Sequence, residues 1–147
     1  MKDPIKFIKN AYFTALDGAI TYNGSTIPVY DEEADETGGD YYIIISTIVD
    51  ADLPNKAKFM NEVEVLIDVV SQNNWRVDLV KKIVDAITEK VLNTIIPSVN
   101  VTSLAGNADF QIIDVRKSAS QHVPILDTGT KKIVRRLTRF NQTIIEK

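Results

Sequence analysis

The sequence predicts an α+β fold, a mostly antiparallel sheet of four or more strands with a short N-terminal helix and one long helix packed on one face. Three observations predict it. Val63, Val65, Ile67 and Val69 alternate with Glu62, Glu64 and Asp68, the period-two pattern of a strand with one buried face. From Leu79 to Ile95 the apolar residues recur at helical spacing. Other segments are rich in β-branched and aromatic residues and are bounded by Gly, Pro and Asn. The 147 residues fit one domain, 1–147, on the usual range of roughly 100–200 per domain. No repeat or linker argues for a second.

The elements follow in order. Asp3 can accept from free helical N–H groups and Pro4 suits the first helical position, so a helix is predicted over 4–16. Gly18 follows Asp17 and suits a left-handed terminus. Asn23-Gly24 tolerates the positive φ angles of a tight turn, which predicts a small hairpin flanked by 20–22 and 26–30. Pro28 cannot donate a ladder bond and marks an edge or a strand end. Residues 31–40 are read as a mobile acidic loop, 41–49 as a buried strand, 50–58 as a turn and 59–70 as the alternating strand.

Asn73-Asn74 offers a cap for the long helix, predicted over 75–95 with Leu79, Val80, Ile83, Val84, Ile87, Val91, Leu92 and Ile95 in its apolar stripe. Pro97 ends it. Residues 99–104 fit either a short strand or a loop. A strand follows over 108–117, with Phe110, Ile112, Asp114 and Arg116 on one side. Residues 118–130 read as a loop and 131–145 as the last strand.

Composition narrows the function. With no Cys there is no disulfide, thiolate nucleophile or Cys-bound zinc, which fits a reducing cytosol. The single histidine, His122, lies in a polar stretch and reads as an exposed loop residue, since one imidazole without a flanking motif builds neither a metal site nor a triad. No apolar run approaches the ~20 residues of a membrane helix, and the acid at position 3 does not fit a secretory signal. No phosphate-binding glycine loop, nucleophile elbow or zinc-protease motif occurs. Glu62, Glu64 and Asp68 could crowd to hold Mg²⁺ or exchange protons, but a solvated strand face has the same pattern. No enzymatic activity and no cofactor are therefore expected. A small metal-dependent enzyme and a nucleic-acid-binding or interaction module stand as the alternatives.

Charge is unevenly spread. Residues 1–73 hold 5 basic and 13 acidic side chains, a net of −8; residues 74–147 hold 12 and 7, a net of +5. Asp31, Glu32, Glu33, Asp35 and Glu36 crowd one stretch, and Lys131, Lys132, Arg135, Arg136 and Arg139 another. Opposite charge in separate places suits contacts between unlike surfaces of neighbouring subunits. Both groups are therefore candidate contacts with partners. The final strand mixes apolar and basic residues on both faces, which also suits a subunit contact.

Read with its local wording, this order resembles the tail-terminator or tail-completion proteins of long-tailed bacteriophages and related neck-ring proteins. The resemblance rests on Asp3-Pro4-Ile5-Lys6, on Tyr22-Asn23-Gly24 leading to Ile27-Pro28-Val29-Tyr30, and on the ten-residue loop 31–40 before Tyr41-Tyr42-Ile43-Ile44. It continues through the alternating strand, the long helix, Asp127-Thr128-Gly129 and Arg135-Arg136-Leu137-Thr138-Arg139-Phe140, and covers nearly the whole chain. Members often carry Pro-Tyr where Tyr41-Tyr42 stands here, and this acidic loop is unusually charged. The resemblance implies a non-enzymatic virion protein, assembled in the host cytoplasm. It would form a homo-oligomeric ring, commonly a hexamer, that caps the tail tube and joins it to the head connector. DNA would pass through the ring without sequence-specific binding, and no membrane would be involved.

Overall fold

The computed structural model describes residues 3–31, 40–53, 60–73, 76–98 and 101–147. Helix α1 spans Ile5–Leu16, and the Asp3 carboxylate accepts from the Ile5 N–H at 3.0 Å. Its apolar side, Phe7, Ile8, Tyr12 and Leu16, is buried. Gly18 beyond its end has φ 74°. The predicted hairpin is β1 (Thr21–Tyr22) with β2 (Ser25–Thr26), turned by Asn23 at φ 51° and Gly24 at φ 80°. The remaining strands are β3 (Val29–Asp31), β4 (Tyr41–Leu53), β5 (Met60–Asn73), β6 (Phe110–His122), β7 (Leu126–Asp127) and β8 (Lys132–Glu146). Helix α2 spans Val77–Ile95.

The main sheet runs β3-β4-β5-β8-β6, with β7 also paired to β8. Only β3–β4 is parallel; the other pairs are antiparallel. The last strand, β8, thus lies between β5 and β6. Both helices pack on one face, α1 over β3 and β4 and α2 over β5 and β8. That face holds the core: Val63, Val65, Ile67 and Val69 meet Val80, Val84, Ile87, Val91 and Ile95 of α2, and Phe140 and Ile144 of β8 join them. Phe7 stacks on Phe110 with centroids 5.1 Å apart.

One polar chain crosses this core. The Tyr12 hydroxyl donates to Gln142 Oε1 at 2.5 Å, and Gln142 Nε2 donates to the Val63 carbonyl. Burial pushes the Tyr12 phenol well above its usual pKa, so the hydroxyl keeps its proton. Gln142 is fully buried, and this chain satisfies both ends of its amide and ties α1 to β5 and β8.

Several sequence expectations change. β4 continues to Leu53 where a turn was expected from residue 50; residues 54–58 of that turn, and residue 59 where the next strand was expected to start, lie outside the described residues. β6 extends to His122, so the expected loop from 118 begins as strand, because the neighbouring strand β8 supplies ladder partners as far as His122↔Arg136. An irregularity between Ile112 and Asp114 reverses the faces. Phe110 and Ile112 reach the core, whereas Arg116 reaches Glu62 on the opposite face. Helix α2 begins at Val77 after Arg76, with no side-chain cap; Asn73 ends β5, and Asn74 and Trp75 lie outside the described residues. Leu79, expected in the apolar stripe, is 45% exposed. Residues 32–39 of the acidic loop also lie outside the described residues.

Urea unfolding checks this packing. Phe140→Ala should cost about 3–5 kcal/mol, since it empties a fully buried site. Tyr12→Phe should cost roughly 1–3 kcal/mol, because it strands Gln142 Oε1. Leu79→Ala should stay within about 0.5 kcal/mol of wild type.

Candidate functional site

Among the described residues, the helices cover one sheet face and nothing covers the other. Alternate residues of β5 (Glu62, Glu64, Leu66, Asp68, Val70, Gln72) and of β8 (Ile133, Arg135, Leu137, Arg139) lie there. Leu66, Ile133 and Leu137 are half-buried, as are Tyr30 and Ile44 from β3 and β4. Such a face is neither a closed core nor an ordinary polar surface.

Its charges are arranged as pairs. Asp68 lies opposite Leu137 and Glu64 opposite Asn141, which puts Arg135 and Arg139 on the diagonals. Arg135 donates from Nε at 2.9 Å and from Nη2 to Asp68 Oδ2. Arg139 lies 3.8 Å from Glu64 Oε1. Arg116 of β6 reaches across β8 to Glu62 Oε1 at 2.6 Å. The pairs at Glu62 and Glu64 are partly exposed and contribute about 0–1 kcal/mol each; the three pairs share one face. They engage all three carboxylates of β5, and among the described residues no three acidic, His or Cys side chains group as metal ligands.

Asp68 stands apart. Its side chain is only 6% exposed, and the strand face that alternation marked as solvated is buried at this point. Oδ1 has no hydrogen-bond donor among the described residues. Burial raises the Asp68 pKa, and the Arg135 hydrogen bond and charge lower it less. Arg135 is correspondingly pushed up, first by its hydrogen bond to Asp68. Beside them Gln72 Nε2 donates to the Tyr42 hydroxyl, and Tyr42 meets Tyr30 edge-on at 6.0 Å.

The other basic residues part company. Arg136 sits on the helix side, donating to Asp85 Oδ1 of α2 at 2.8 Å and to Ser120 Oγ at 3.0 Å. His122, at the end of β6 rather than in a loop, places Nε2 3.0 Å from the same Asp85 oxygen. Lys131 closes the β7–β8 turn and Lys132 is the first residue of β8; in the turn Thr128 N donates to the Lys131 carbonyl at 2.9 Å and Gly129 takes φ 88°. Neither lysine ammonium has a partner among the described residues. Ile125 and Leu126 beside them are 38% and 58% exposed. At the far edge Asp31 lies 3.5 Å from Lys9; Glu32, Glu33, Asp35 and Glu36 lie outside the described residues.

Arg135 and Arg139 are thus brought together on one face with β5, while Arg136 is taken to the other. Sequence reading named Glu64 and Asp68 as a candidate metal cluster and Arg116 as a strand residue without pairing them, and it did not single out Asp85 or the apolar Ile125-Leu126 pair. The even spacing of Glu64 and Asp68 against Arg135 and Arg139 was the available signal, and it becomes readable only once β8 is known to adjoin β5.

No family model matches the chain, and no curated protein matches it. Among solved structures, it is similar to a chain of the virion of a native gene transfer agent (GTA) particle. The TM-score is 0.59 at 12% identity, over 92% of this chain and 84% of that one. The likeness is one of fold and spans nearly the whole molecule. No helix among the described residues is long and apolar enough to cross a membrane.

Asp68 sets a pH dependence. A carboxyl whose pKa is raised on folding holds more protons in the native state, so its contribution is present at low pH and lost as pH rises through the folded value. Asp68→Asn should therefore gain stability relative to wild type between about pH 4 and pH 7. Arg135→Ala should lose more at pH 7 than at pH 4, since it leaves an ionised buried carboxylate alone. Urea midpoints at the two pH values test both.

Proposed function

We propose that this chain is a structural, non-enzymatic protein of a phage-like virion, assembled in the host cytoplasm. The observation that carries this reading is the whole-chain likeness in fold to a chain of a gene transfer agent virion. The finer reading is a tail-terminator or neck-ring subunit. It forms a homo-oligomeric ring, a hexamer, that ends the tail tube and meets the head connector, with DNA passing through it unread.

Two features of the subunit support the finer reading. One sheet face is left half-apolar and uncovered by the helices, as an assembling subunit needs. The charged groups also lie at separated places, Asp31 at one sheet edge and Lys131 and Lys132 where β8 begins. In this reading Asp31, Glu32, Glu33, Asp35 and Glu36 face basic neighbours. Lys131 and Lys132 make outward contacts, and Arg135, Arg136 and Arg139 contribute through surfaces they already help to build. The alternative of a metal-dependent enzyme loses support, because Glu62, Glu64 and Asp68 are each engaged by an arginine.

Sedimentation of the purified protein across concentration, with electron microscopy, tests this proposal. The expected result is a discrete oligomer seen as closed rings, weakened as salt rises because contacts between exposed charges are screened beyond about 8–10 Å. A monomer at every concentration would count against the ring.

A further inference from the structure

Three observations meet on one question: what covers the uncovered sheet face. First, Asp68 lies directly between Ile44 of β4 and Leu137 of β8, with Leu66 beside it on β5. Its Oδ1 is buried without a donor among the described residues. A buried acceptor in an apolar surround is an unfilled position for a hydrogen-bond donor. Second, Lys131 at the β7–β8 turn and Lys132 at the start of β8 carry ammonium groups with no partner among the described residues, beside the exposed Ile125 and Leu126. Third, these two features cannot meet within a subunit. Lys132 lies five positions before Leu137 on β8, roughly 17 Å along a strand, farther than a lysine side chain extends.

We propose that the β7–β8 turn of one subunit docks on the uncovered sheet face of a second copy of this chain. There a lysine of the 131–132 pair donates to the Asp68 carboxylate, and Ile125 and Leu126 rest on Ile44, Leu66 and Leu137. The proposal rests on the self-assembling reading above and names its contact. The match is one of charge and of polarity: cation to unpaired carboxylate oxygen, apolar pair to apolar surround. Arg135 holds only Oδ2, and with 42% of its side chain exposed it can shift to admit the newcomer. Turn and face are different parts of the subunit, so the contact is heterologous; repeated by a rotation that closes, it makes a ring. A nucleic acid is the poorer occupant. Arg116, Arg135 and Arg139 on this face already answer carboxylates and leave no free row of cations for a phosphate backbone.

Two variants of the full chain test it, each checked for folding by circular dichroism and urea midpoint. The turn variant combines Lys131→Glu, Lys132→Glu and Leu126→Ser, all at exposed or half-exposed positions. The face variant is Leu137→Lys, which offers Asp68 an internal donor and repels the incoming lysines. In sedimentation velocity, each alone should self-associate at least about tenfold more weakly than wild type. Mixed, they should form a dimer and stop, because one intact turn still finds one intact face. A folded turn variant that assembles like wild type, while wild type forms rings, overturns this contact and spares the ring. A wild type that stays monomeric overturns both. A short DNA duplex that binds wild type but not the turn variant, with self-association unchanged, would assign the turn to nucleic acid and also overturn the proposal.

Discussion

The covering of the sheet on one side only is the constraint on which the rest of this molecule depends. Two helices of 12 and 19 residues cannot cover both faces of a sheet whose long strands run to 13–15 residues. All the strongly apolar alternation is therefore spent on the helix side, where Val63, Val65, Ile67 and Val69 are buried to within 1%. Each such aliphatic side chain contributes about 1.5–3 kcal/mol. The buried Tyr12–Gln142–Val63 chain then fixes where α1 sits, because a shift of one residue would leave a buried amide unsatisfied.

The opposite face inherits the residue types that the core does not use. It holds half-buried Leu66, Ile133 and Leu137, and charges that would be costly beside them if left single. Diagonal arginines answer Glu64 and Asp68, and Arg116 answers Glu62 from two strands away. The result is a face of low net charge with enough apolar surface to favour contact. Asp68 is the exception that gives it direction: a carboxylate paired at one oxygen, with the other buried and unanswered. A single-subunit fold gains nothing evident from that orphan acceptor, whereas an assembled one can fill it.

Much of this was legible from residue order alone. The hairpin at Asn23-Gly24, the alternating β5 strand and the stripe of α2 all rest on local patterns, and each appears where expected apart from the exposed Leu79. What was not legible depends on neighbours distant in the chain. β8 enters between β5 and β6, and that placement lengthens β6, pairs Arg135 with Asp68 and separates Arg136 from Arg135. The irregularity at Ile113 likewise reverses Asp114 and Arg116 without any glycine or proline to announce it. Alternation assigned Asp68 to solvent correctly as to face but not as to burial, because Ile44 and Leu137, its neighbours across the strands, come from segments 24 and 69 positions away.

The proposed contact between copies lies on the uncovered sheet face and not on the helical side. Hydroxyl-radical footprinting of side chains, compared between dilute and assembled protein, addresses it most directly. Leu66, Ile133 and Leu137 are expected to lose reactivity on assembly together with Leu126 of β7, while Phe13 and Leu79 on the helical side keep theirs. Protection of Phe13 and Leu79 with an unchanged sheet face would contradict it.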